Sequence, residues 1–298
     1  MEIIRRKLLY LLGGVVLLFL LAIGLFWAHL REKERIAIGG KGSEGEILSE
    51  IIAQLIEHDL RIPVKRECQV EGTLILFEAL KANQIDLYVE YTGTALTALL
   101  RRKIEGKSPS DIFDEVKKGL HAFDIIAFPS LGFQNRYAVM MNPEIANQVR
   151  ISTLSDLSKK GDGLKIRFDQ EFCAREEYKI LEEKYQIPLS LMQMMDHILL
   201  YLTLQKKGCD VINGYTTDGF CKGLKILEDD KSLFPSYEAI PIVRKDILNR
   251  YPGLKEVLRK LEGKISMEEM QEMNYKVERN GELIYNVAKT FLNCHTLI

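Results

Sequence analysis

The stretch Asp86-Leu-Tyr-Val-Glu-Tyr-Thr-Gly-Thr94 starts as a β-strand and ends as the entry to a helix. Leu87 and Val89 alternate with Tyr88 and Glu90, the period of two that marks a strand with two different faces. The alternation then breaks, and an apolar pattern of helical spacing follows over residues 95–100. The stretch therefore predicts a strand, a loop and a helix in direct succession.

Such a loop lies at the mouth of an α/β sheet, where these folds bind their ligands. Free backbone N–H groups at the start of the helix point into the same space. Tyr91 and Thr94 lie in this loop, so an aromatic ring and a hydroxyl group are available side by side. The local pattern alone is equally typical of a core strand with a capped turn, and the rest of the chain decides between the two.

On both sides of this stretch, strand patterns alternate with helical ones. Strands are predicted at residues 36–38, 64–70, 86–90, 124–127, 137–141, 165–168, 210–212 and 240–243, and helices at 47–56, 72–82, 95–100, 111–123, 176–185 and 197–207. Ser155 is expected to cap a short helix, and Ser266 with Glu269 forms a capping-box pattern that opens a long one. The alternation predicts an α/β fold with a largely parallel sheet.

The order of these patterns suggests two lobes with a cleft between them. Residues 36–132 form one α/β unit, lobe I, and residues 133–235 a second, lobe II. Residues 236–298 contain one strand and several helices, and we expect this return segment to complete lobe I. Residues 1–35 precede the lobes as an N-terminal anchor and tether.

The composition is that of an ordinary globular protein. Hydrophobic residues make up 47% of the 298 positions and charged residues 28%, with a formal net charge of -1. The length suggests two domains. A nearly neutral chain has no excess of basic residues to attract nucleic acid, so we expect no nucleic-acid partner.

The N-terminus is typical of a membrane segment. Arg5, Arg6 and Lys7 precede an unbroken apolar run from Leu8 to Ala28, and a helix of roughly 20 apolar residues crosses a bilayer. The preceding charges and Trp27 favour a cytoplasmic N-terminus. We interpret the run as an uncleaved signal-anchor helix, with a cleaved signal peptide as the alternative. In either case the body, from about Ile36, lies on the extracytoplasmic side of the cell membrane.

Enzymatic and metal sites find little support in the sequence. The odd number of cysteines leaves at least one free thiol, most thiols are expected to be buried, and one disulfide is possible. The cysteines lack metal-ligand spacing, and the chain has no HExxH or Gly-x-Ser-x-Gly motif. Lys41 lies in a Gly-rich turn that lacks the first glycine of a P-loop. We expect neither cofactor nor metal, and no enzyme.

Six short blocks, in this order, carry a specific resemblance. They are Ile36-Ala-Ile-Gly-Gly-Lys41; Phe77-Glu-Ala-Leu-Lys81 with Ile85-Asp-Leu-Tyr-Val-Glu-Tyr-Thr-Gly-Thr94; Gly132-Phe-Gln-Asn-Arg-Tyr137; Gly214-Tyr-Thr-Thr-Asp-Gly219; Glu228-Asp-Asp-Lys231 with Phe234-Pro-Ser-Tyr237; and residues 270–277. The chain resembles the substrate-binding proteins of the glycine betaine/carnitine/choline ABC transporters, the quaternary-amine osmoprotectant family. The resemblance implies a two-lobed periplasmic-binding-protein fold that closes on its ligand in the inter-lobe cleft.

The resemblance also implies a set of binding residues. An aromatic box for the quaternary ammonium group would consist of Tyr91, Tyr137, Tyr215 and Tyr237. Asn135, two residues before Tyr137, can turn its side-chain carbonyl toward the same cation. A cation without N–H groups suits the negative faces of aromatic rings, at about 0.5–2 kcal/mol per ring.

The carboxylate of a betaine-type ligand would be held by Lys41, Thr94 and Arg175, also by resemblance. Lysine and arginine give charge-assisted hydrogen bonds to carboxylates, and threonine adds a neutral donor. Arg175 lies in Ala174-Arg-Glu-Glu-Tyr178, where the family commonly has Asp-Arg-Pro-Asp-Gly. Glu176 and Glu177 thus place negative charge beside Arg175 and compete for it.

The function that we expect is the solute-binding component of an ABC importer, which takes up a glycine betaine-like osmoprotectant. By resemblance, its partners are a membrane permease and a cytoplasmic ATPase. The alternative is a membrane-anchored ligand sensor or interaction module on the same fold. An enzyme is the least favoured reading, because no nucleophile–base pair or metal set can be assembled.

Overall fold

Two five-stranded sheets organise the computed structural model, which describes residues 35–68, 72–104, 106–190, 192–235 and 237–298. The first sheet has the order β2-β1-β3-β10-β4 and the second β7-β6-β8-β5-β9. The strands are β1 Ile36–Gly39, β2 Val64–Glu67, β3 Leu87–Tyr91, β4 Ile125–Ala127, β5 Tyr137–Met141, β6 Ile166–Phe168, β7 Gln193–Met194, β8 Val211–Tyr215, β9 Lys225–Ile226 and β10 Ala239–Arg244. The predicted signal-anchor helix lies outside the described residues.

Helices cover both sheets. They are Gly42–Leu60, Thr73–Lys81, Thr92–Thr94, Pro109–His121, Pro143–Val149, Leu154–Lys160, Gln170–Cys173, Glu176–Lys179, His197–Gln205, Lys245–Arg250, Leu254–Arg259, Met267–Glu278 and Ile284–Cys294, with π-helical turns at Ala95–Leu99 and Ile180–Tyr185 and a 3-10 turn at Gly219–Cys221. In the described part of the chain, none of these helices has the length and apolar character needed to span a bilayer.

The first sheet separates two apolar cores, as the strand alternation predicted. Leu87 and Val89 pack on one side, against the helix Gly42–Leu60 and the two C-terminal helices. Tyr88 packs on the other side, against helices between residues 73 and 121. The second sheet likewise has an apolar core on each face. Each sheet is therefore the middle layer of an α/β sandwich.

The prediction of a largely parallel sheet is confirmed for strand direction, although both sheets are mixed: in each, four of the five strands run the same way and one, β10 or β5, runs against them. In the first sheet β1 runs parallel to β2 and β3, whereas β10 runs antiparallel to β3 and β4. In the second, β5 runs antiparallel to β8 and β9. β5 and β10 are the strands that the chain reaches after it crosses from one sheet to the other, so they do not follow the within-sheet crossover that keeps neighbours parallel.

The chain crosses between the sheets twice, and the two crossing segments pair with each other. Gln134 and Glu238 form an antiparallel bridge. The Asn135 N–H donates to the Tyr237 carbonyl at 3.0 Å, and the Ala239 N–H donates to the Phe133 carbonyl at 3.2 Å. β10 thereby returns to the first sheet. The lobe boundaries at residues 132 and 235 stay a prediction.

The helix caps agree with one prediction and correct another. Ser266 and Glu269 form the expected capping box before the helix Met267–Glu278. Ser155, in contrast, is not a cap but lies inside the helix Leu154–Lys160. Thr153 caps this helix by accepting from the Asp156 N–H at 3.0 Å, because its backbone is extended where that of Ser155 is helical.

The five cysteines are all free thiols, so the possible disulfide does not form. Cys209 and Cys221 are buried, Cys68 and Cys173 are half-buried, and Cys294 is exposed. The expectation that most thiols are buried therefore holds fully for only two of them.

Candidate functional site

A cavity of about 210 Å³ brings together all eight residues that the sequence singled out. It is lined by Lys41, Tyr91, Thr94, Asn135, Arg136, Tyr137, Glu171, Arg175, Tyr215 and Tyr237. Arg136 and Glu171 were not predicted. The first sheet, the second sheet and the crossing segments all contribute residues, so the cavity lies where the two halves of the fold meet.

A wider, more open groove of about 690 Å³ follows the crossing segment on residues 129–136 and the turn before the helix Met267–Glu278. Among the described residues, Phe133 is the one aromatic residue that lines this groove. Its ring is buried in the apolar core that the first sheet forms with the helix Gly42–Leu60. The smaller cavity holds four tyrosines and both signs of charge, so its chemistry makes it the better candidate for a ligand site.

Tyr137 and Tyr215 form one wall of the cavity. They are directly opposite each other on β5 and β8, which is why two residues 78 positions apart touch. Their ring centroids are 4.6 Å apart, and the Tyr215 hydroxyl donates to the Tyr137 hydroxyl at 2.9 Å. The Phe172 ring packs 5.0 Å from Tyr137 on the side of the core. Cross-strand pairing thus fixes both rings.

Tyr237 lies over the start of the helix that follows β3; the predicted loop is absent here, because the helix Thr92–Thr94 begins directly after Tyr91, the last residue of β3. A Cβ atom on Gly93 would lie 2.5 Å from two carbons of the Tyr237 ring, so only glycine leaves room for it. The Tyr237 hydroxyl donates to the buried Glu177 at 3.0 Å. The ring of Tyr237, which comes from a distant part of the sequence, therefore explains the glycine at position 93.

Tyr91 and Asn135 share a partner that sequence reasoning missed. The Tyr91 hydroxyl donates to Glu44 Oε1, and Asn135 Nδ2 donates to the same oxygen at 3.1 Å. Glu44 lies in the first turn of the helix Gly42–Leu60. Burial raises the pKa of Glu44, and the hydrogen bonds from Tyr91, Asn274 and Asn135 oppose this rise. In the sequence, Glu44 is an unremarkable polar residue after a glycine-rich turn.

Lys41 is held between two residues of the first half. Its Nζ donates to Thr73 Oγ1 and lies 3.6 Å from Glu90 Oε1. Glu90 has no exposed surface, and burial raises its pKa while the Lys41 charge lowers it. Thr94, which lines the same cavity, ends the short helix Thr92–Thr94. The Lys41 ammonium group therefore lines the cavity with the carboxylate of Glu90 already beside it.

Arg175 pairs with Glu171, the residue four positions before it, rather than with the glutamates that follow. Both side chains are more than half exposed, at 53% for Arg175 and 58% for Glu171. Glu176 binds Lys179 at 3.1 Å, and Glu177 accepts from Tyr237. The expected competition from Glu176 and Glu177 is therefore wrong, because both have other partners, and the competing carboxylate is Glu171.

His197, which was also not predicted, packs against Tyr215. Its ring centroid is 5.3 Å from that of Tyr215. Its Nδ1 lies 2.8 Å from Asp169 Oδ2 and its Nε2 lies 3.0 Å from Asp218 Oδ2. Asp218 also accepts from the Tyr215 N–H at 2.8 Å. Burial lowers the pKa of His197, but the hydrogen bonds that its ring donates to the two aspartates, and the charges of these aspartates, outweigh it and raise the pKa from 6.5 to about 10.

Comparison with known proteins gives consistent results. The family model described as the substrate binding domain of the ABC-type glycine betaine transport system matches residues 34–293. The carnitine transport binding protein OpuCC of Listeria monocytogenes is 34% identical over 267 residues, which cover 87% of this chain and 86% of that protein. The ergothioneine transport permease/ergothioneine binding protein EgtU of Helicobacter pylori is 34% identical over 286 residues. That match covers 93% of this chain but 51% of the relative, so the chain spans about half of its length.

A solved structure shows the same fold. The crystal structure of a glycine betaine/carnitine/choline ABC transporter superposes with a TM-score of 0.83 at 32% identity. The superposition covers 88% of this chain and 99% of the other. The structure of apo YehZ gives a TM-score of 0.76 at 23% identity and supports the fold alone.

The His197 cluster predicts a specific pH dependence of stability. The folded state holds the His197 proton more tightly than the unfolded state, so this contribution to stability is full below about pH 6.5 and is lost as pH rises through 10. Thermal unfolding of the wild type and of His197→Gln, at several pH values between these limits, tests it. The difference in melting temperature should shrink with rising pH. Parallel curves for the two proteins would contradict the assignment, since the other four histidines are common to both.

Proposed function

Because the chain belongs to the family of substrate-binding domains of ABC-type glycine betaine transport systems, we propose that it binds a quaternary ammonium compound such as glycine betaine in the tyrosine-lined cavity. The family resemblance drawn from the six sequence blocks is thereby confirmed, and the family is one of solute-binding proteins rather than enzymes. The observation that carries the proposal is that Tyr91, Tyr137, Tyr215 and Tyr237 line one cavity.

Four rings around one space suit a cation that cannot donate hydrogen bonds. A trimethylammonium group spreads its charge over its methyl groups and is attracted by the faces of aromatic rings, at about 0.5–2 kcal/mol per ring when desolvated. Four such contacts supply a large part of the roughly 8 kcal/mol that a micromolar affinity requires. Asn135, which lines the same cavity, adds an amide dipole beside the box.

The opposite charge of a betaine would be held by Lys41, Thr94 and Arg175. All three line the cavity, and both cations offer charge-assisted hydrogen bonds to a carboxylate. Each of these two cationic side chains already has a carboxylate of the protein beside it, Glu90 for Lys41 and Glu171 for Arg175. A ligand carboxylate would therefore share Lys41 with a buried partner and would compete with Glu171 for Arg175.

In the cell, this function would make the chain the extracytoplasmic solute-binding component of an ABC importer for osmoprotectant uptake. Lobe I, of residues 36–132 with the return segment 236–298, and lobe II, of residues 133–235, would close on the ligand. A permease and its ATPase would be the partners, and residues 8–28 would anchor the body to the outer face of the membrane. The Listeria relative, named as a carnitine transport binding protein, and the family description support this role.

Isothermal titration calorimetry with the purified full-length protein tests the proposal. We expect micromolar or tighter binding of at least one of glycine betaine, carnitine and choline. Tight betaine binding with weak choline binding would support both halves of the pocket, and choline binding alone would retain the tyrosine box and remove the carboxylate clamp. The absence of binding to all three would reject the proposed ligand class.

Substitutions in the box should separate ring from hydroxyl contributions. Tyr91→Ala and Tyr215→Ala should each weaken binding of the preferred ligand at least tenfold, because each removes one ring from the cation. Tyr215→Phe keeps the ring and should cost less than Tyr215→Ala. Unchanged affinity in both alanine variants, measured by the same calorimetry, would refute the aromatic box.

Glu171→Gln should raise the affinity only for a ligand that carries a carboxylate. The substitution removes the carboxylate that pairs with Arg175, so glycine betaine, which brings its own carboxylate, should bind several-fold more tightly. Choline carries no carboxylate and should gain nothing. Arg175→Ala should abolish the gain when it is combined with Glu171→Gln. An equal change for both ligands would show that Arg175 does not hold the ligand carboxylate.

A further inference from the structure

Glu44 is a half-buried acid on which several parts of the fold converge. Its Oε1 accepts from the Tyr91 hydroxyl, at the end of β3, and from Asn135 Nδ2, on the crossing segment, at 3.1 Å. Its Oε2 accepts from Asn274 Nδ2, on the helix Met267–Glu278, at 2.7 Å. The Asn274 amide also donates to the Thr217 carbonyl, beyond β8, at 2.7 Å. Both halves of the fold thus contribute to the surroundings of this carboxylate.

The donors around Glu44 favour its ionised form. An O–H and two amide N–H groups point at the two oxygens, and a carboxylate is an acceptor-only group that can use all three. Hydrogen bonds to the charged form stabilise it against the cost of burial. Two of the donors, Tyr91 and Asn135, line the ligand cavity. Glu44 is therefore one residue removed from the place proposed for the cation.

The same contacts orient Asn135. Since its Nδ2 is bound to Glu44, its Oδ1 is the amide atom that is left, and it is buried without a hydrogen-bond partner among the described residues. Asn274 Oδ1 is likewise buried and unpartnered in the described part of the chain. Two amide oxygens left unpaired near a carboxylate give the site a negative character, which suits a cation nearby.

We propose that Glu44 is the countercharge and positioning residue for the cationic group of the ligand. Its carboxylate holds the Tyr91 ring and the Asn135 amide in place, and its negative charge adds to the attraction of the aromatic faces. The proposal rests on the proposed function of the cavity and extends it, because it assigns the preference for a charged over a neutral group of the same shape to one side chain, that of Glu44.

A pair of ligands tests the charge directly. Glycine betaine and 3,3-dimethylbutanoate have the same shape and carboxylate, but a tert-butyl group replaces the trimethylammonium group in the second. Wild-type full-length protein should bind betaine at least tenfold more tightly. Glu44→Gln should reduce this preference at least fivefold by weakening betaine, with the affinity for 3,3-dimethylbutanoate within about twofold of wild type. Calorimetry, with competition titrations for the weaker ligand, gives both constants.

The matched control is Glu278→Gln. Glu278 accepts from the hydroxyl of Ser43, the residue before Glu44. The Glu278→Gln substitution therefore removes a nearby acid that does not hold a cavity side chain. It should leave the preference unchanged. Glu44→Gln is expected to fold, because glutamine keeps the length of the side chain and its Oε1 can still accept from Tyr91 and Asn135. Should it not fold, Glu44→Asp keeps the charge and must keep the preference; its loss there would overturn the proposal.

The outcomes distinguish this proposal from the proposed function. Equal weakening of both ligands in Glu44→Gln would reduce Glu44 to a structural role, and so would an unchanged preference. Equal affinity of the wild type for both ligands would also overturn the countercharge while the cavity remained a ligand site. Binding of neither ligand, nor of carnitine or choline, by the wild type would instead reject the function of the cavity itself.

Discussion

The pairing of the two crossing segments is the contact on which the site depends. The chain leaves the first sheet near Phe133 and returns near Glu238, and backbone hydrogen bonds hold these passages antiparallel. Glu238 also donates its N–H to Thr92 Oγ1 at 3.0 Å, which ties the return passage to the start of the helix after β3. These bonds set Asn135, Tyr237 and the end of β3 at Tyr91 side by side, although they are up to 146 residues apart.

The sequence predicted the contact residues because each lies in a short motif at a strand end. Tyr91 ends β3, Tyr137 begins β5 and Tyr215 ends β8, and local patterns locate all three strands. The residues that hold these tyrosines in place could not be predicted from local patterns. Glu44 meets Asn274 across 230 positions, and His197 meets Asp169 and Asp218 from a separate helix, so no spacing in the sequence links them. The one reversed strand of each sheet, β10 or β5, was missed for the same reason, since its direction depends on where the chain crosses.

Carboxylates of the protein contact most of the side chains that were predicted to bind the ligand. Glu44 binds Tyr91, Glu177 binds Tyr237, Glu90 lies beside Lys41, and Glu171 binds Arg175. A glutamate among 42 acidic residues gives no sign of such a role in a sequence, because its partner is chosen by the fold. The contact surface of the cavity is thus predictable from motifs, whereas its electrostatic support is a property of the folded chain.

Burial divides these carboxylates into two kinds with different consequences. Glu90 and Glu177 are buried in the protein, and Glu44 is held by hydrogen bonds from Tyr91, Asn135 and Asn274, so their positions are fixed before any ligand arrives. A fixed charge costs no reorganisation when it meets an opposite charge. Glu171 is more than half exposed, and an exposed ion pair is held by about 1 kcal/mol or less. The cation side of the cavity is therefore preorganised, while the anion side contains one contact that a ligand carboxylate can displace at little cost.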